Sequence, residues 1–378
     1  MRPCMMKHHG EAHSMSRRDF MRGIGLATAG LAVAACQPAA GTTAATGATG
    51  SSAPAGAKPT VAIAKAANYD PKLIRQQLVK LLDSIGGISD VLAHGNRVAI
   101  KTNLTGGTSA APLPGISEIE SYLTHPEIVG AMVELLRDAG AKDVFVVEAV
   151  YEKESWPHYG YEEMAKKLGV TLVDLNYAEP YKDFAKTSPG TNPFIYEDFT
   201  FNPILNEIDA FVSISKMKCH NVLGVTHTMK NLVGLVPYRF YTLNANDKYR
   251  SGFHGQAAEM KKRLPSVVMD LNRARPVNLS IIDGILTTEG GEGPWITALT
   301  PIKPGIMLAG KNPVATDAVA TAAMGFDPTS DYPDEPFVNG YNHLNMAVQL
   351  GLGTNKLDEI KVVGASVNEV KVQFKPSY

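Results

Sequence analysis

The chain has 378 residues, 44% of them hydrophobic, and a formal net charge of −1. That length allows one large domain or two lobes around a shared cleft, with a core that needs no disulfide or metal staple. No long basic run occurs, so nucleic acid is excluded as an expected partner.

Ser16-Arg17-Arg18-Asp19-Phe20-Met21 has the form of a twin-arginine export signal. A weakly apolar run follows from Gly23 to Ala35, too short to span a bilayer as a finished helix. Val33-Ala34-Ala35-Cys36 then reads as a lipobox, whose small residues let a peptidase reach the bond before Cys36. Residues 1–36 are therefore expected to be a signal, with Arg17 and Arg18 read by the twin-arginine translocase. Cys36 is expected to take a lipid from lipoprotein-processing enzymes. Residues 37–58 are almost wholly Ala, Gly, Thr, Ser and Pro, a composition that cannot bury a core and reads as a flexible tether. Together these features predict a protein outside the cytoplasm, facing the periplasm or outer surface and held to a membrane through its lipid alone. The three cysteines are Cys4, Cys36 and Cys219. With Cys4 removed and Cys36 lipidated, Cys219 remains, which permits no internal disulfide and no iron–sulfur cluster with cysteine ligands alone.

The body, residues 59–378, alternates short β-rich runs with amphipathic segments. Thr60–Ala64 reads as a strand, Pro71–Leu82 as a helix and Arg97–Lys101 as a second strand running into a loop from Thr102 to Gly115. A helix begins at Pro126, a favoured first helical position, and its apolar residues Ile128, Val129, Met132, Leu135 and Leu136 share one face. Gly140 ends it and Val144–Val147 follows as a strand. Tyr161–Leu168 and Val170–Leu175 repeat the helix-then-strand rhythm. In the second half, Ala210–Ile214 is a strand, Ser215–Gly255 is loop-rich and Glu259–Arg273 is a helix with Pro265 inside it. Leu279–Ile282 is a strand ending at Asp283, and Asn312-Pro313 caps a helix running to Met324. This is the pattern of an α/β fold with a mostly parallel sheet and flanking helices, here expected as two lobes, 59–209 and 210–378, around a cleft.

Ligands of open α/β sheets bind beyond the carboxyl ends of the strands, so polar residues that follow apolar runs are the candidates. Lys101-Thr102-Asn103 with Gly106-Gly107 suits a carboxylate or phosphate. Glu148, at the end of a strand, is a candidate base or metal ligand. The densest segment is Lys216 to Pro237, which holds Lys218, Cys219, His220, Thr226, His227, Lys230 and Asn231 among apolar residues, as a partly buried polar strip would. Neutral imidazole moves protons or binds metals near pH 7. A lysine crowded by other lysines serves as a nucleophile or base, and one that keeps its charge clamps an anion. The fourth group is Asp283-Gly284, Glu289-Gly290-Gly291-Glu292-Gly293-Pro294 and Asp317. Asp317 lies inside an apolar helix and needs a partner, either a lysine or a packing hydrogen bond. Cys219 is a ligand or nucleophile beside His220, or an inert small hydrophobe.

The body resembles the domain of unknown function 362 family. The matching stretches are Val98–Asn103, Thr124–Val129 with Ala139–Ala141, Lys218–His220 through Lys230-Asn231-Leu-Val-Gly234, Ile282–Gly284 with Gly293-Pro294, Asn312–Asp317, and Gly351–Gly353. The resemblance implies a fold class and a site rather than a reaction. Many relatives carry an added ferredoxin-like cysteine module, which this chain lacks. A local likeness joins His220, Gly224, Lys230 and Pro237 to the lactate racemase family, in which a His and a Lys ten apart hold a nickel-pincer cofactor. That family's glycine pair is replaced here by Thr228-Met229, so a nickel-pincer cofactor is not expected.

These readings predict an enzyme, or a metal- or cofactor-dependent protein, acting on a small carboxylate-like anion. Its catalytic groups are expected to be His220, Lys230, Lys218 and Asp283, with Glu289 as a further acid. Its anion-binding groups are expected to be Lys101, Asn103, Thr226 and Asn231, and its candidate metal ligands His220, Glu148 and Asp317. The alternative is a non-catalytic lipoprotein that binds an anion, metal or cofactor for another protein.

Overall fold

The structure, a computed structural model, describes residues 57–108 and 113–378. The export signal with Arg17 and Arg18, the anchor Cys36 and nearly all of the tether lie outside the described residues. In chain order the strands are β1 (Thr60–Lys65), β2 (Arg97–Lys101), β3 (Asp143–Glu148), β4 (Thr171–Asp174), β5 (Ala185–Thr187), β6 (Phe199–Phe201), β7 (Ala210–Lys216), β8 (Lys218–His220), β9 (Gly224–Thr226), β10 (Leu279–Gly284), β11 (Thr287–Glu289), β12 (Thr300–Ile302), β13 (Ile306–Gly310) and β14 (Lys361–Gly364). Eight of them form one sheet in the order β14-β1-β13-β10-β7-β2-β3-β4. Every neighbouring pair is parallel except the two made by β13, which runs antiparallel to both β10 and β1. The expected α/β class with a mostly parallel sheet is what the body forms.

The expected division into lobes at 209/210 is not seen. Strand β7, which opens the second half, pairs directly with β2 of the first, Val98 beside Ala210 and Lys101 beside Ser213. All seven residues of β7 are buried. A strand buried on both faces belongs in the middle of a sheet covered on both sides, and that requirement places strands from both halves next to one another.

Alternation along the strands supplies two apolar layers. Val98 and Ile100 pack on one side with the helices Pro71–Ser84 and Pro126–Asp138, while Ala99 faces the opposite layer with the helices Met260–Ala274 and Pro313–Ala323. Three of these helices start on the same chemistry. A proline opens each, and the preceding residue accepts a hydrogen bond from the first turn: Asp70 from Leu73 N (2.9 Å), His125 Nδ1 from Glu127 N (3.2 Å) and Asn312 from Ala315 N (2.9 Å). Pro265 sits inside Met260–Ala274 without ending the helix. The proline has no N–H for the Lys261 carbonyl, and Tyr341 N donates to that carbonyl instead, at 2.9 Å.

The strand order fixes where a ligand can sit. From β2 the chain steps one way to β3 and β4; from β7, on the other side of β2, it steps the opposite way to β10. The carboxyl ends of β2 and β7 therefore flank a reversal in strand order, the crevice in which open α/β sheets bind ligands. Among the described residues no helix is long and apolar enough to cross a membrane.

Candidate functional site

A cavity of about 510 Å³ opens at this reversal. Its walls come from the loop after β2 (Asn103, Thr105, Gly106), the segment after β7 and the loop after β11 (Glu292, Trp295, Ile296). The segment after β7 turns at once into the β8–β9 hairpin, with Lys218 opposite Thr226 and His220 opposite Gly224. Period-two alternation sends Lys218, His220 and Thr226 to one face, which lines the cavity. Cys219 and Val225 point to the other, buried face, where Cys219 Sγ donates to the Lys375 carbonyl at 3.1 Å. Gly224 has φ +73°, and a Cβ there would lie 2.7 Å from the Phe337 ring and 2.9 Å from the Pro336 carbonyl oxygen, so the hairpin needs glycine at this turn.

The helix Thr228–Asn231 follows and carries Lys230 into the same cavity. Asp317 holds this helix, accepting from Thr228 N (3.0 Å) and Met229 N (2.9 Å). Burial raises the Asp317 carboxyl to about 7 against the pull of those donors. The packing hydrogen bond, rather than a lysine, is its partner.

The cavity is cationic. Lys218 Nζ, 1% exposed, donates to the Tyr122 carbonyl (2.7 Å), and burial together with Lys230 holds its pKa well below the usual lysine value. Lys230 Nζ makes no hydrogen bond or ion pair with the described residues. Burial pushes it down to about 8, Glu292 opposing the shift and Arg250 and Lys101 adding to it. Arg250 spends Nε and Nη2 on the carbonyls of Val236 and Ala149 and has no carboxylate partner among the described residues. His220 Nδ1 accepts from Val222 N (3.1 Å) and Leu223 N (3.2 Å), which leaves the ring proton on Nε2. Burial, opposed by Glu292 and reinforced by Lys230, keeps this imidazole neutral. Burial likewise lowers His254, with Lys230 adding to the effect.

The cavity carboxylate is Glu292. Its oxygens accept from Asn221 N and Trp295 Nε1, both at 3.0 Å. Burial alone would raise it, but His220, these two donors and Lys230 outweigh burial and bring it down to about 2.

The structure thus brings His220, Lys230, Lys218, Asn103 and Thr226 together and places the other candidates elsewhere. Lys101 Nζ is 1% exposed and fully used, donating to Glu148 (2.7 Å), the Thr102 carbonyl (2.6 Å) and Asn231 Oδ1 (3.2 Å). Lys101 and Asn231 therefore serve a buried ion pair rather than an anion. That pair also accounts for the glycine of Lys230-Asn231-Leu-Val-Gly234, since a Cβ at Gly234 would collide with Glu148 Oε1 and lie 2.7 Å from Lys101 Nζ. Asp283 is likewise not in the cavity. It pairs with Lys216 (3.0 Å), both side chains wholly buried, and accepts from Tyr69 OH (2.9 Å). Glu289 accepts from Lys375 N (2.9 Å) and Thr300 Oγ1 (3.1 Å).

The expected metal set of His220, Glu148 and Asp317 is not assembled. Glu148 is bound to Lys101, Asp317 to main-chain amides, and His220 spends Nδ1 on its own turn. Among the described residues no three His, Cys, Asp or Glu side chains converge as a metal site.

One further element borders the site. The segment Val372–Lys375 runs across the hairpin's buried side. Val372 N and Phe374 N donate to the carbonyls of Ala323 and Met324, and Gly290 N donates to the Lys375 carbonyl, all at 2.9 Å.

Tyr151, Tyr249, Arg250, His254 and Trp295 also line the cavity, and sequence reasoning did not select them. Glu292 was visible within its glycine-rich run, but nothing in that run separates it from Glu289.

A model of the Domain of unknown function (DUF362) family matches residues 98–322. The chain belongs to this family. All the polar side chains of the cavity named above fall within the DUF362 segment. A thylakoid-associated protein of Synechocystis sp. is 25% identical over 272 residues, 71% of this chain and 76% of the relative. Two solved structures are similar at low identity. The lactate racemase apoprotein from Thermoanaerobacterium thermosaccharolyticum has a TM-score of 0.38 at 11% identity, with 65% of this chain and 54% of that one covered. A protein from Thermotoga maritima has a TM-score of 0.33 at 15% identity, with 66% and 57% covered. The chain spans little more than half the length of either.

Proposed function

We propose that this DUF362 protein is an enzyme acting on a small carboxylate-like anion bound at the β2–β7 reversal. The observation that carries the reading is Lys230, whose Nζ has no hydrogen-bond or ion-pair partner among the described residues while it shares a cationic cavity with His220, Lys218 and Arg250. Lys218 and Arg250 hold the anionic group, with Thr226 and Asn103 beside it. Among the described residues the buried Thr226 hydroxyl has no hydrogen-bond partner and is free to donate to the anion, and Asn103 Oδ1, likewise buried and unpartnered there, can accept from a substrate hydroxyl. Lys230, with its pKa brought near neutrality, removes or returns a proton at the neighbouring carbon or oxygen. The neutral His220 offers Nε2–H to charge developing on the substrate, the role a neutral imidazole fills when its other nitrogen is occupied.

The test is proton exchange. The protein is incubated in D2O with 2-hydroxy and 2-oxo carboxylates, and loss of the C2 proton of the former and of the C3 protons of the latter is followed by NMR. At least one acid should exchange with wild type and not with Lys230→Met. Binding without exchange for every acid that binds overturns catalysis and leaves the second reading, a carrier of small anions. One feature favours that second reading: Glu292 accepts from Asn221 and Trp295, and among the described residues no carboxylate hydrogen-bonds His220.

The same proposal places the protein outside the cytoplasm, exported through Arg17 and Arg18 and anchored at Cys36. The order of signal, lipobox and tether supports this, and the similarity to a thylakoid-associated protein agrees with a membrane-related place. Labelled palmitate should enter wild type and not Cys36→Ala; equal labelling of the two overturns the anchor.

A further inference from the structure

The cavity has two chemically different halves. Its cationic floor is described above. Its rim carries Trp295 and Tyr249, which are 50% and 46% exposed, with Tyr151, Ile296 and Met260 beside them. Large aromatic side chains left half exposed around a concave site are a recognition feature rather than a core feature.

The seating of Trp295 is specific. Its indole lies against Gly106 and Gly293. A Cβ on Gly106 would come within 2.6 Å of the ring, and one on Gly293 would also overlap it. Two glycines from different loops, one after β2 and one after β11, thus make a bed for the ring. Tyr122 meets it edge-on at 6.4 Å, and its Nε1 is fixed by Glu292 at 3.0 Å. The ring is held in one orientation, lines the cavity and stays half exposed. A three-carbon acid fills only a small part of about 510 Å³, whereas cavities of roughly 300–1,000 Å³ enclose ligands of ring size and larger.

We propose that the ligand is a planar aromatic anion, its acid group among Lys218, Lys230 and Arg250 and its ring stacked on Trp295. This rests on the anion-binding reading of the cavity and adds the class of the ligand's body. Offset stacking on an indole contributes beyond area burial, and a saturated ring of the same size does not gain it.

The experiment compares benzoate with cyclohexanecarboxylate by calorimetric titration of the folded protein. Wild type should bind benzoate about three- to tenfold more tightly. Trp295→Leu should bring that ratio to about one, and Trp295→Phe should restore part of it, with thermal unfolding showing that both variants are folded. Equal affinities in wild type, or a ratio that Trp295→Leu leaves unchanged, overturn the aromatic assignment while the anion site stands. If neither acid binds, or Lys230→Met binds both as wild type does, the anion reading falls and this proposal with it.

Discussion

Asp317 reaches across from the helix Pro313–Ala323 and accepts hydrogen bonds from the main-chain N–H groups of Thr228 and Met229, immediately before Lys230. A helix of four residues is too short to hold itself, so this carboxylate, together with the bonds that Asn231 makes to Lys101 and Ser213, fixes the position of Lys230. Asp317→Ala leaves two buried N–H groups without partners. We expect a loss of about 2–4 kcal/mol in denaturant unfolding and a fall in anion affinity larger than that of surface variants of equal stability. Unchanged affinity in a destabilised variant would assign Asp317 to stability alone.

The lowered pKa of Lys230 gives opposite pH responses for binding and turnover. Below about 8 the ammonium is charged, and above it the amine is free. Affinity for an anion should fall as pH rises through about 8, whereas proton exchange of bound substrate should rise through the same range. In Lys230→Met both profiles should be flat there. Affinity that does not change between pH 7 and 9 would remove Lys230 from the anion's partners.

Lys230 and Lys101 also bear on stability. Their folded pKa values lie below the usual lysine value, so the unfolded chain binds these protons more readily. Stability should rise as pH climbs from about 8 towards the ordinary lysine range, and Lys230→Met should show less of this rise. Chemical unfolding at three pH values checks the sign.

Gly234→Ala tests the buried Lys101–Glu148 pair without touching the cavity. The added Cβ meets both partners of the pair at the carboxyl ends of β2 and β3. We expect a cost of about 3 kcal/mol, read as a lower midpoint in urea. A change within experimental error would mean that the pair can shift.

Cys219 should be inert in the folded protein. It is fully buried, and burial drives its thiol far above the usual range despite the nearby Gly290 N–H. Iodoacetamide should leave the Cys219 peptide unmodified in native buffer and alkylate it in guanidinium, as peptide mass spectrometry would show. Labelling in native buffer would reveal opening of the β8–β9 hairpin.

Most of the sheet was legible in the sequence because it rests on local pattern. Val98 and Ile100 against Ala99, and the proline starts at Pro71, Pro126 and Pro313, carry their meaning within a few residues. The polar strip from Lys218 to Lys230 was legible from its density of Lys, His, Thr and Asn among apolar residues, but it read as loop, and the β8–β9 hairpin that gathers Lys218, His220 and Thr226 on one face was not seen. What was not legible depended on partners far along the chain. Lys101 and Lys216 look as available as Lys230 until Glu148 and Asp283 are placed beside them. Glu292 and Glu289 differ only in which way a glycine loop folds. Arg250 lies in a stretch with no periodicity at all, and the single-sheet arrangement follows from the pairing of β7 with β2, more than a hundred residues apart.

The strap Val372–Lys375 ties the hairpin, the loop leading to Glu292 and the helix bearing Asp317 into one piece. Each of those elements is made well before the strap during synthesis. The pocket's walls are therefore fully braced only once Val372–Lys375 has docked against them.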